Sequence, residues 1–211
     1  MLEKDLGKEK LEVGKKIVSF IGPEGSGKTT LALLLAEDSG KPYLTTGDTI
    51  RDYAKNDPGR LGEACRIMFA EHRYLAGELL LEIMSSRFSR DDTTEGFILD
   101  GGFRTVEETQ DFQMTLESAG RGLPVTVIYL KIPIEESFKR LITGENARRR
   151  DDDTEEVLRC RLEKFNHQLD ERLGIIMNSP NWDIIEVDAT EPIEIVYGEV
   201  CNLLMQHKTG S

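Results

Sequence analysis

Short apolar runs alternate with longer segments of helical periodicity along most of the chain. Five of these runs are typical of strands buried on both faces, and they occupy 16–21, 43–45, 95–100, 124–132 and 184–189. Helical patterns follow the first run and then occupy 48–55, 59–71, 75–89, 105–119, 133–142, 154–177 and 191–207. Strands that alternate with helices predict an α/β fold in which helices cover both faces of a five-stranded parallel sheet.

Two stretches interrupt this alternation. The first contains several successive helical patterns between 46 and 90, and the second is the polar loop at 143–153. No linker rich in Pro, Gly or Ser divides the chain, so we predict one domain over 1–211 with an insertion at 46–90 and a short lid at 143–153. Both stretches are candidates for flaps that close over a ligand.

Composition and charge narrow the possible partners. The 211 residues include 27 Lys and Arg against 39 Asp and Glu, a formal charge of −12, so we expect no binding to nucleic acid, which requires a basic face. No apolar run approaches the roughly 20 residues of a membrane span, and the charged N-terminus lacks the apolar core of a secretory signal. Three widely separated cysteines argue against a disulfide scaffold. We therefore expect a cytoplasmic protein that does not bind membranes.

The most specific motif follows the first predicted strand. Residues 22–29, GPEGSGKT, fit the pattern G-x-x-x-x-G-K-[ST] at every position. Its glycines let successive backbone N–H groups curl around phosphate oxygens, and the following helix presents its positive end to the anion. Lys28 supplies a mobile cation for the transferring phosphoryl group, and Thr29 supplies a hydroxyl for Mg²⁺. This phosphate loop predicts a nucleoside triphosphate site, but alone it does not distinguish a kinase from a GTPase or a motor protein.

Two further segments place polar residues directly after predicted strands. TGDTIR at 46–51 follows the second strand, and Arg51 is suited to a bidentate contact with a phosphate, although an N-capped helix with a surface arginine explains it equally well. FILDGGFRT at 97–105 ends a buried strand at Asp100, where a carboxylate beside the phosphate loop suits Mg²⁺ or its waters. The two glycines that follow would let a substrate approach the backbone.

A group of arginines surrounds the polar loop at 143–153. In a flap they would neutralise the charge that develops on a transferring phosphoryl group, although the acidic residues among them favour the alternative of a salt-bridged surface. The group comprises Arg140, Arg148, Arg149, Arg150, Arg159 and Arg161.

In their order and spacing these motifs resemble those of the adenylate kinase family of nucleoside monophosphate kinases. GPEGSGKTT is similar to the family's G-x-P-G-x-G-K-G-T, TGDTIR to T-G-D-x-x-R, and FILDGGFRT to F-[IL]-L-D-G-F-P-R-T. RRDDDTEEVLRCRL resembles G-R-x-D-D-x-x-E-x-x-x-x-R-L, and VDATEP resembles a late V-D-G-x-x-P loop. The resemblance extends from about residue 16 to about residue 206 and implies a monomer that reversibly transfers a phosphoryl group from MgATP to a nucleoside monophosphate, most simply AMP.

The resemblance also implies roles for individual residues. The donor side would consist of Gly25, Ser26, Gly27, Lys28, Thr29 and Thr30 around the ATP phosphates, with Arg140 and the loop 189–191 at the adenine. The acceptor side would consist of Thr46, Arg51, Arg73, Tyr74, Leu75, Gly101, Arg104 and Gln110, so that 46–90 becomes the insertion that binds the monophosphate. Catalysis would depend on Lys28, Arg104, Arg150 and Arg161, with Mg²⁺ held through Thr29 and Asp100.

Several departures from the family pattern bear on this interpretation. Glu24 replaces the loop proline and brings a negative charge toward the polyphosphate site, and Gly102-Phe103 replaces the Phe-Pro pair that would fix the turn before Arg104. Gly144 lies where a further lid arginine is expected, whereas Thr46 favours AMP, because relatives that prefer pyrimidines tend to have alanine there. Two alternatives stay open: phosphorylation of UMP, CMP or another small molecule, and binding of adenine nucleotides without turnover.

Overall fold

A parallel sheet organises the structure, a computed structural model that describes residues 10–71, 77–143 and 155–207. The strands are β1 (Ile17–Ile21), β2 (Tyr43–Thr45), β3 (Ile98–Asp100), β4 (Val125–Lys131) and β5 (Trp182–Asp188). They lie in the order β2-β3-β1-β4-β5, and each neighbouring pair is parallel. The predicted five-stranded parallel sheet is confirmed.

Nine α-helices lie within the described ranges and surround the sheet. They are α1 (Lys28–Ser39), α2 (Thr46–Asn56), α3 (Arg60–Ala70), α4 (Gly77–Phe88), α5 (Val106–Ser118), α6 (Ile134–Thr143), α7 (Glu155–His167), α8 (Leu169–Asn178) and α9 (Ile193–Gln206). Among the residues described, none of these helices combines the length and apolar character that crossing a membrane requires.

The central strand β1 accounts for the two helical layers. All five of its residues are buried. Val18 and Phe20 belong to a hydrophobic cluster with residues of α1 and α9, whereas Ile17 and Ile21 belong to a second cluster with residues of α5 and α8. Because alternate residues of a strand point to opposite faces of the sheet, a strand that is apolar on both faces requires helices on both.

The strand order brings separate parts of the sequence to one edge of the sheet. β3 lies between β1 and β2, so the chain must return across the sheet before it continues to β4 on the other side of β1. The register pairs Phe20 with Asp100 and Thr45 with Asp100, so the segments after β1, β2 and β3 leave the same carboxyl edge side by side. Ligands of open parallel sheets bind at such an edge where the strand order reverses.

The helix predicted over 154–177 is in fact two helices. α7 ends at His167 and α8 begins at Leu169, with Gln168 between them at φ −105° and ψ 4°. The break redirects the chain so that the apolar side of α8, including Leu173 and Ile176, packs into the second cluster beneath the sheet. Gln168 has a backbone conformation that any residue can adopt, so the sequence has no glycine or proline to mark the break.

The helices α2, α3 and α4 share a small core of their own. Tyr53 from α2, Cys65 from α3 and Ile83 from α4 are buried together, with Ile50 and Leu61 packed against them. This core is separate from the two clusters that cover the sheet. Other buried residues of α4 belong to the second cluster, so this helix joins the small core to the core of the sheet.

Candidate active site

The phosphate loop connects β1 to α1 and has a backbone that depends on its glycines. Gly25 and Gly27 have φ values of 83° and 90°, in the left-handed region that side chains disfavour. A Cβ at Gly25 would also lie only 2.7 Å from the carbonyl oxygen of Ser137 on α6. The loop therefore packs directly on α6, and left-handed residues of this kind let successive backbone N–H groups line an anion-binding concavity.

Lys28 is the first residue of α1, and its ammonium group folds back into the loop. Its Nζ donates hydrogen bonds to the carbonyl oxygens of Gly22 and Pro23, each at 2.7 Å. Burial lowers the pKa of Lys28 to about 8, an effect that the charges of Asp100 and Glu24 oppose and that of Arg104 reinforces. The lysine is thus held without a full counter-charge, which favours the arrival of an anion.

Asp100 and Arg104 come from the end of β3 and from the loop that follows it, and both lie within electrostatic range of Lys28. Asp100 ends β3, is only 8% exposed, and accepts a hydrogen bond of 2.8 Å from Tyr43 Oη on β2. The guanidinium of Arg104 lies against Gly101, where a Cβ would be 2.6 Å from Nη2. An acid, a lysine and an arginine that are up to 76 residues apart in the sequence therefore meet at the edge of the sheet.

The side-chain oxygens of Thr29 and Asp100 suit a Mg²⁺ ion that also binds phosphate oxygens. Across the described ranges, no group of three or more His, Cys, Asp or Glu side chains is arranged to hold a metal ion. Asp100 presents one buried carboxylate whose orientation Tyr43 fixes, and Thr29 follows Lys28 in the first turn of α1. Mg²⁺ in phosphate-transfer sites takes few protein ligands and completes its shell with phosphate oxygens and water, so these residues fit the ion.

A cavity of about 410 Å³ lies beside the phosphate loop, between α6 and the start of α9. Arg140 of α6 crosses it and donates hydrogen bonds of 2.9 and 2.8 Å to the carbonyl oxygens of Ala189 and Thr190, while its Nε donates to Glu136 at 3.2 Å. Ser26 of the loop lines the same cavity. The structure therefore brings together Arg140, the loop 189–191 and the phosphate loop, which the sequence placed on one side of the site.

Arg161 of α7 faces the phosphate loop. Its Nη1 lies 3.8 Å from Glu24 Oε2, and both side chains are partly exposed. Ser137 Oγ donates a short hydrogen bond to the carbonyl oxygen of Glu24, which ties this part of the loop to α6. Glu24, the residue that departs from the family pattern, thus forms an ion pair with one of the arginines predicted to be catalytic.

The predicted acceptor residues are more open. Thr46 begins α2, and Arg51 one turn later donates a 2.6 Å hydrogen bond to Asp48 Oδ1, with 62% of its side chain exposed. Thr45 caps the helix by accepting from the backbone N–H of Asp48 at 2.8 Å. This arrangement is the capped helix with a surface arginine that the sequence offered as the alternative, although it lies at the same sheet edge as Asp100.

The remaining predicted site residues fall into two groups. Gly101 is buried at the foot of the β3–α5 loop (residues 101–105), and Gln110 is exposed on α5. The other predictions lie outside the described residues: Arg73, Tyr74, Leu75 and Arg150, with most of the lid at 143–153.

Three residues that support the site were not found from the sequence. Tyr43 orients Asp100, and Glu108 accepts a 3.0 Å hydrogen bond from the backbone N–H of Arg104. Arg172 of α8 donates hydrogen bonds to the carbonyl oxygens of Phe103 and Arg104. Glu108 had a usable signal, because Thr105 and Glu108 have the T-x-x-E spacing of a helix capping box. Tyr43 and Arg172 had none, since their partners are remote in the sequence.

The phosphate loop follows the central strand β1, and it faces Asp100 and Arg104 at the end of the neighbouring strand β3. This combination of fold and site places the chain in the class of P-loop nucleoside monophosphate kinases. The sequence model of the family described as adenylate kinase matches residues 20–176. The chain belongs to the adenylate kinase family.

Individual relatives agree with this assignment. The adenylate kinase of Leifsonia xyli subsp. xyli is 31% identical over 187 residues, which cover 89% of this chain and 92% of the relative. The adenylate kinase of Thermus thermophilus is 32% identical over 78% of this chain and 84% of its own length. The adenylate kinase of Kocuria rhizophila is 34% identical over 74% of this chain and 82% of its own length.

Proposed function

We propose that the protein catalyses reversible transfer of the γ-phosphoryl group of MgATP to AMP, which yields two ADP. The observation that carries this proposal is the convergence of Lys28, Asp100 and Arg104 at the edge of the sheet, between the cavity at Arg140 and the start of α2. Relatives named adenylate kinase along most of the chain support it.

In the proposed reaction a phosphate oxygen of AMP attacks the γ-phosphorus of ATP in line. The new P–O bond forms as the bond to the β-phosphate oxygen breaks, and ADP leaves with that oxygen. No side chain needs to act as a strong base, because a nucleotide phosphate is already largely ionised near pH 7. Catalysis therefore consists of positioning and charge stabilisation.

On the donor side, the N–H groups of the phosphate loop and Lys28 would bind the ATP phosphates, through residues 25–30. Arg140 and the loop 189–191 would hold the adenine in the adjoining cavity. The entering phosphates would replace the carbonyl oxygens of Gly22 and Pro23 as the partners of the Lys28 ammonium. Thr29 and Asp100 would hold Mg²⁺, which when bound neutralises phosphate charge and orients the polyphosphate.

On the acceptor side, Arg51 and Arg104 would bind the phosphate of AMP. Thr46, Gly101 and Gln110 would contact the nucleotide, together with residues 73–75. To do so, Arg51 must exchange its ion pair with Asp48 for the phosphate, and both partners are exposed enough for this exchange to cost little. Arg104, Arg161 and Arg150 would then surround the transferring group with Lys28.

We also propose that the segments 46–90 and 143–153 close over the two nucleotides and exclude water that would otherwise hydrolyse ATP. The small core of α2 and α3 with Ile83 of α4 supports a joint movement of α2 and α3, while Met84 and Phe88 hold α4 against the core beneath the sheet. A cytoplasmic location and a monomeric state stay predictions from the sequence.

An acceptor panel tests the proposed function. The purified protein is incubated with MgATP and AMP, UMP, CMP or GMP, and the release of ADP is followed in a coupled assay. We expect AMP to be the fastest acceptor, with two ADP formed per AMP consumed. A faster reaction with UMP or CMP would assign a different acceptor, and tight ATP binding without ADP formation would identify a nucleotide-binding protein that lacks turnover.

A further inference from the structure

Arg172 of α8 is a fully buried charged residue, with 0% of its surface exposed. Among the described residues it is the largest completely buried side chain, and Asp100 is the only other buried residue that carries a formal charge. A buried guanidinium is unfavourable unless hydrogen bonds compensate for its lost hydration. The hydrogen-bond partners of Arg172 therefore indicate which part of the structure this residue stabilises.

Within the described ranges, every hydrogen-bond acceptor of Arg172 is a backbone carbonyl oxygen. Its Nη1 donates to Phe103 at 2.8 Å and to Arg104 at 3.4 Å, its Nε donates to Gln168 at 3.0 Å, and its Nη2 donates to Phe165. The guanidinium also lies over the ring of Phe165, 4.5 Å from its centroid. One side chain thus joins the turn between α7 and α8 to the β3–α5 loop, 69 residues away.

The β3–α5 loop requires such support. Phe103 has φ 58°, a left-handed conformation that is disfavoured for a residue with a Cβ. Residues 101–105, GGFRT, contain two glycines and no proline, so the sequence of the loop does little to fix this conformation. The contacts around the loop must therefore define it.

Arg104 is held from both sides of its peptide backbone. Its N–H donates to Glu108 Oε2 at 3.0 Å, while its carbonyl oxygen accepts from Arg172 at 3.4 Å. Burial raises the pKa of Glu108, and the charges of Arg104 and Arg172 act against that rise. The backbone of Arg104 is thus clamped between two charged side chains that stabilise each other, while its own guanidinium stays exposed toward the site.

We propose that Arg172 is a positioning residue for the acceptor phosphate: it holds the backbone of Phe103 and Arg104 so that the guanidinium of Arg104 points to the site where AMP binds. This inference rests on the proposed function, because it concerns the role given there to Arg104. Arg172 itself lies inside the core and would not touch either nucleotide.

A double-mutant cycle tests the inference with Arg172→Leu, Arg104→Ala and the combination of the two. We expect Arg172→Leu to raise the KM for AMP by about tenfold or more and the KM for ATP by less than about threefold. In the Arg104→Ala background the same substitution should have almost no further effect on the KM for AMP, because residues that act through one group are not additive. Additive effects would overturn the inference.

A matched control separates positioning from general loss of stability. Ile176→Ala removes another completely buried side chain from α8, and the hydrocarbon side chain of Ile176 cannot donate a hydrogen bond to the β3–α5 loop. We expect it to lower Tm and leave the ratio of the two KM values unchanged. An equal change of that ratio in Ile176→Ala would show that Arg172 acts only through stability.

Arg172→Lys serves as the second variant and carries the test if Arg172→Leu does not fold. The ammonium group of lysine keeps the charge but cannot reach several carbonyl oxygens at once as a guanidinium does. We therefore expect a KM for AMP between that of the wild-type protein and that of Arg172→Leu, or, if Arg172→Leu does not fold, a KM for AMP clearly above the wild-type value. A wild-type KM for AMP in Arg172→Lys would count against a specific hydrogen-bonding role.

The two proposals fail in different ways. Absence of ADP formation from ATP and AMP in the wild-type protein would overturn the proposed function. The affinity for AMP, measured by titration calorimetry on the same set of variants, would still decide the role of Arg172. Wild-type turnover together with unchanged AMP affinity in Arg172→Leu would overturn the role of Arg172 alone.

Discussion

The proposed donor and acceptor sides of the site differ in how they are built. The donor side is largely one contiguous stretch, residues 22–30, whose shape depends on glycine backbone conformations and whose lysine is already drawn inside the loop. The acceptor side is assembled from side chains on α2 and on the β3–α5 loop, and Arg51 is paired with a neighbour on its own helix. A local backbone motif forms its site as the chain folds, whereas a site made of separate side chains depends on the packing that positions them.

This difference has an electrostatic counterpart. The ammonium of Lys28, drawn into the loop, has a pKa lowered by desolvation and gains strongly from an entering anion. Arg51 already forms an exposed ion pair with a carboxylate. Binding a phosphate therefore gains only the difference in free energy between the arginine–phosphate pair and that existing pair. Substitutions on the donor side should therefore affect turnover most, and those on the acceptor side should affect mainly the affinity for AMP.

The largest effect should come from Lys28→Ala, which removes the cation of the phosphate loop. We expect kcat to fall by about 10²- to 10³-fold, because a preorganised charge at the transferring group is lost, while the fold persists. Turnover by the coupled assay and Tm are the measurements. Lys41→Ala is the matched control, since Lys41 is also partly buried and donates to a backbone carbonyl, that of Glu95, away from the site. Near wild-type turnover in Lys28→Ala would remove this lysine from the mechanism.

Arg51→Ala tests whether the acceptor side is distinct from the donor side. We expect the KM for AMP to rise about ten- to hundredfold, as for loss of a hydrogen bond to a charged group, with little change in the KM for ATP. Arg60→Ala is the control, because Arg60 forms a comparable exposed ion pair with Glu82 on the same helical segment. Equal changes in both KM values would remove Arg51 from the acceptor site.

The pH profile tests the electrostatic state of the donor side. Lys28 has a pKa of about 8 in the free protein, so it is charged below that pH and neutral above it. We expect kcat/KM for ATP to be level near pH 7 and to fall with a limiting slope of about tenfold per pH unit above pH 8. In Lys28→Arg the guanidinium does not titrate in this range, so its profile should lack this step. A step of the same size in Lys28→Arg would assign the titration to another group.

The smallest effect should come from Glu24→Gln. Glu24 adds negative charge near the entering polyphosphate and pairs at 3.8 Å with Arg161. Neutralising it should lower the KM for ATP by only about two- to fivefold, because both side chains are partly exposed and screened by solvent. The effect should shrink when the KM is measured at high salt. A higher KM for ATP would instead indicate that the ion pair holds Arg161 in its working position.

The parts of the fold that the sequence predicted correctly depend on local patterns. The phosphate loop, β1 and β2 were placed within a residue of their observed bounds, because buried strands and glycine turns have composition of their own. The break at Gln168 was missed because the apolar pattern continues through it. Asp100 and Arg104 lie within electrostatic range of Lys28 in the structure, and the roles of all three residues stay predictions from the sequence.

Contacts between remote residues could not be predicted in the same way. Nothing near Tyr43 indicates that its hydroxyl orients Asp100, 57 residues later, and nothing near Arg172 indicates that it binds the carbonyl of Phe103. An arginine on a helix with other charged residues has the pattern of a solvated side chain. Only the redirection of α8 after Gln168 brings Arg172 into the core.

The amino-acid sequence by itself determined the donor loop, the order of strands and helices and the family. The loop and each strand or helix depend on residues close together in the chain, and the family follows from several short motifs of this kind in a fixed order. The tertiary structure decided which distant groups share the site and how the β3–α5 loop is held, because the strand order β2-β3-β1-β4-β5 and the turn before α8 set those distances. Hydrogen bonds and charges act over a few ångströms of space, and chain separation alone does not determine that distance.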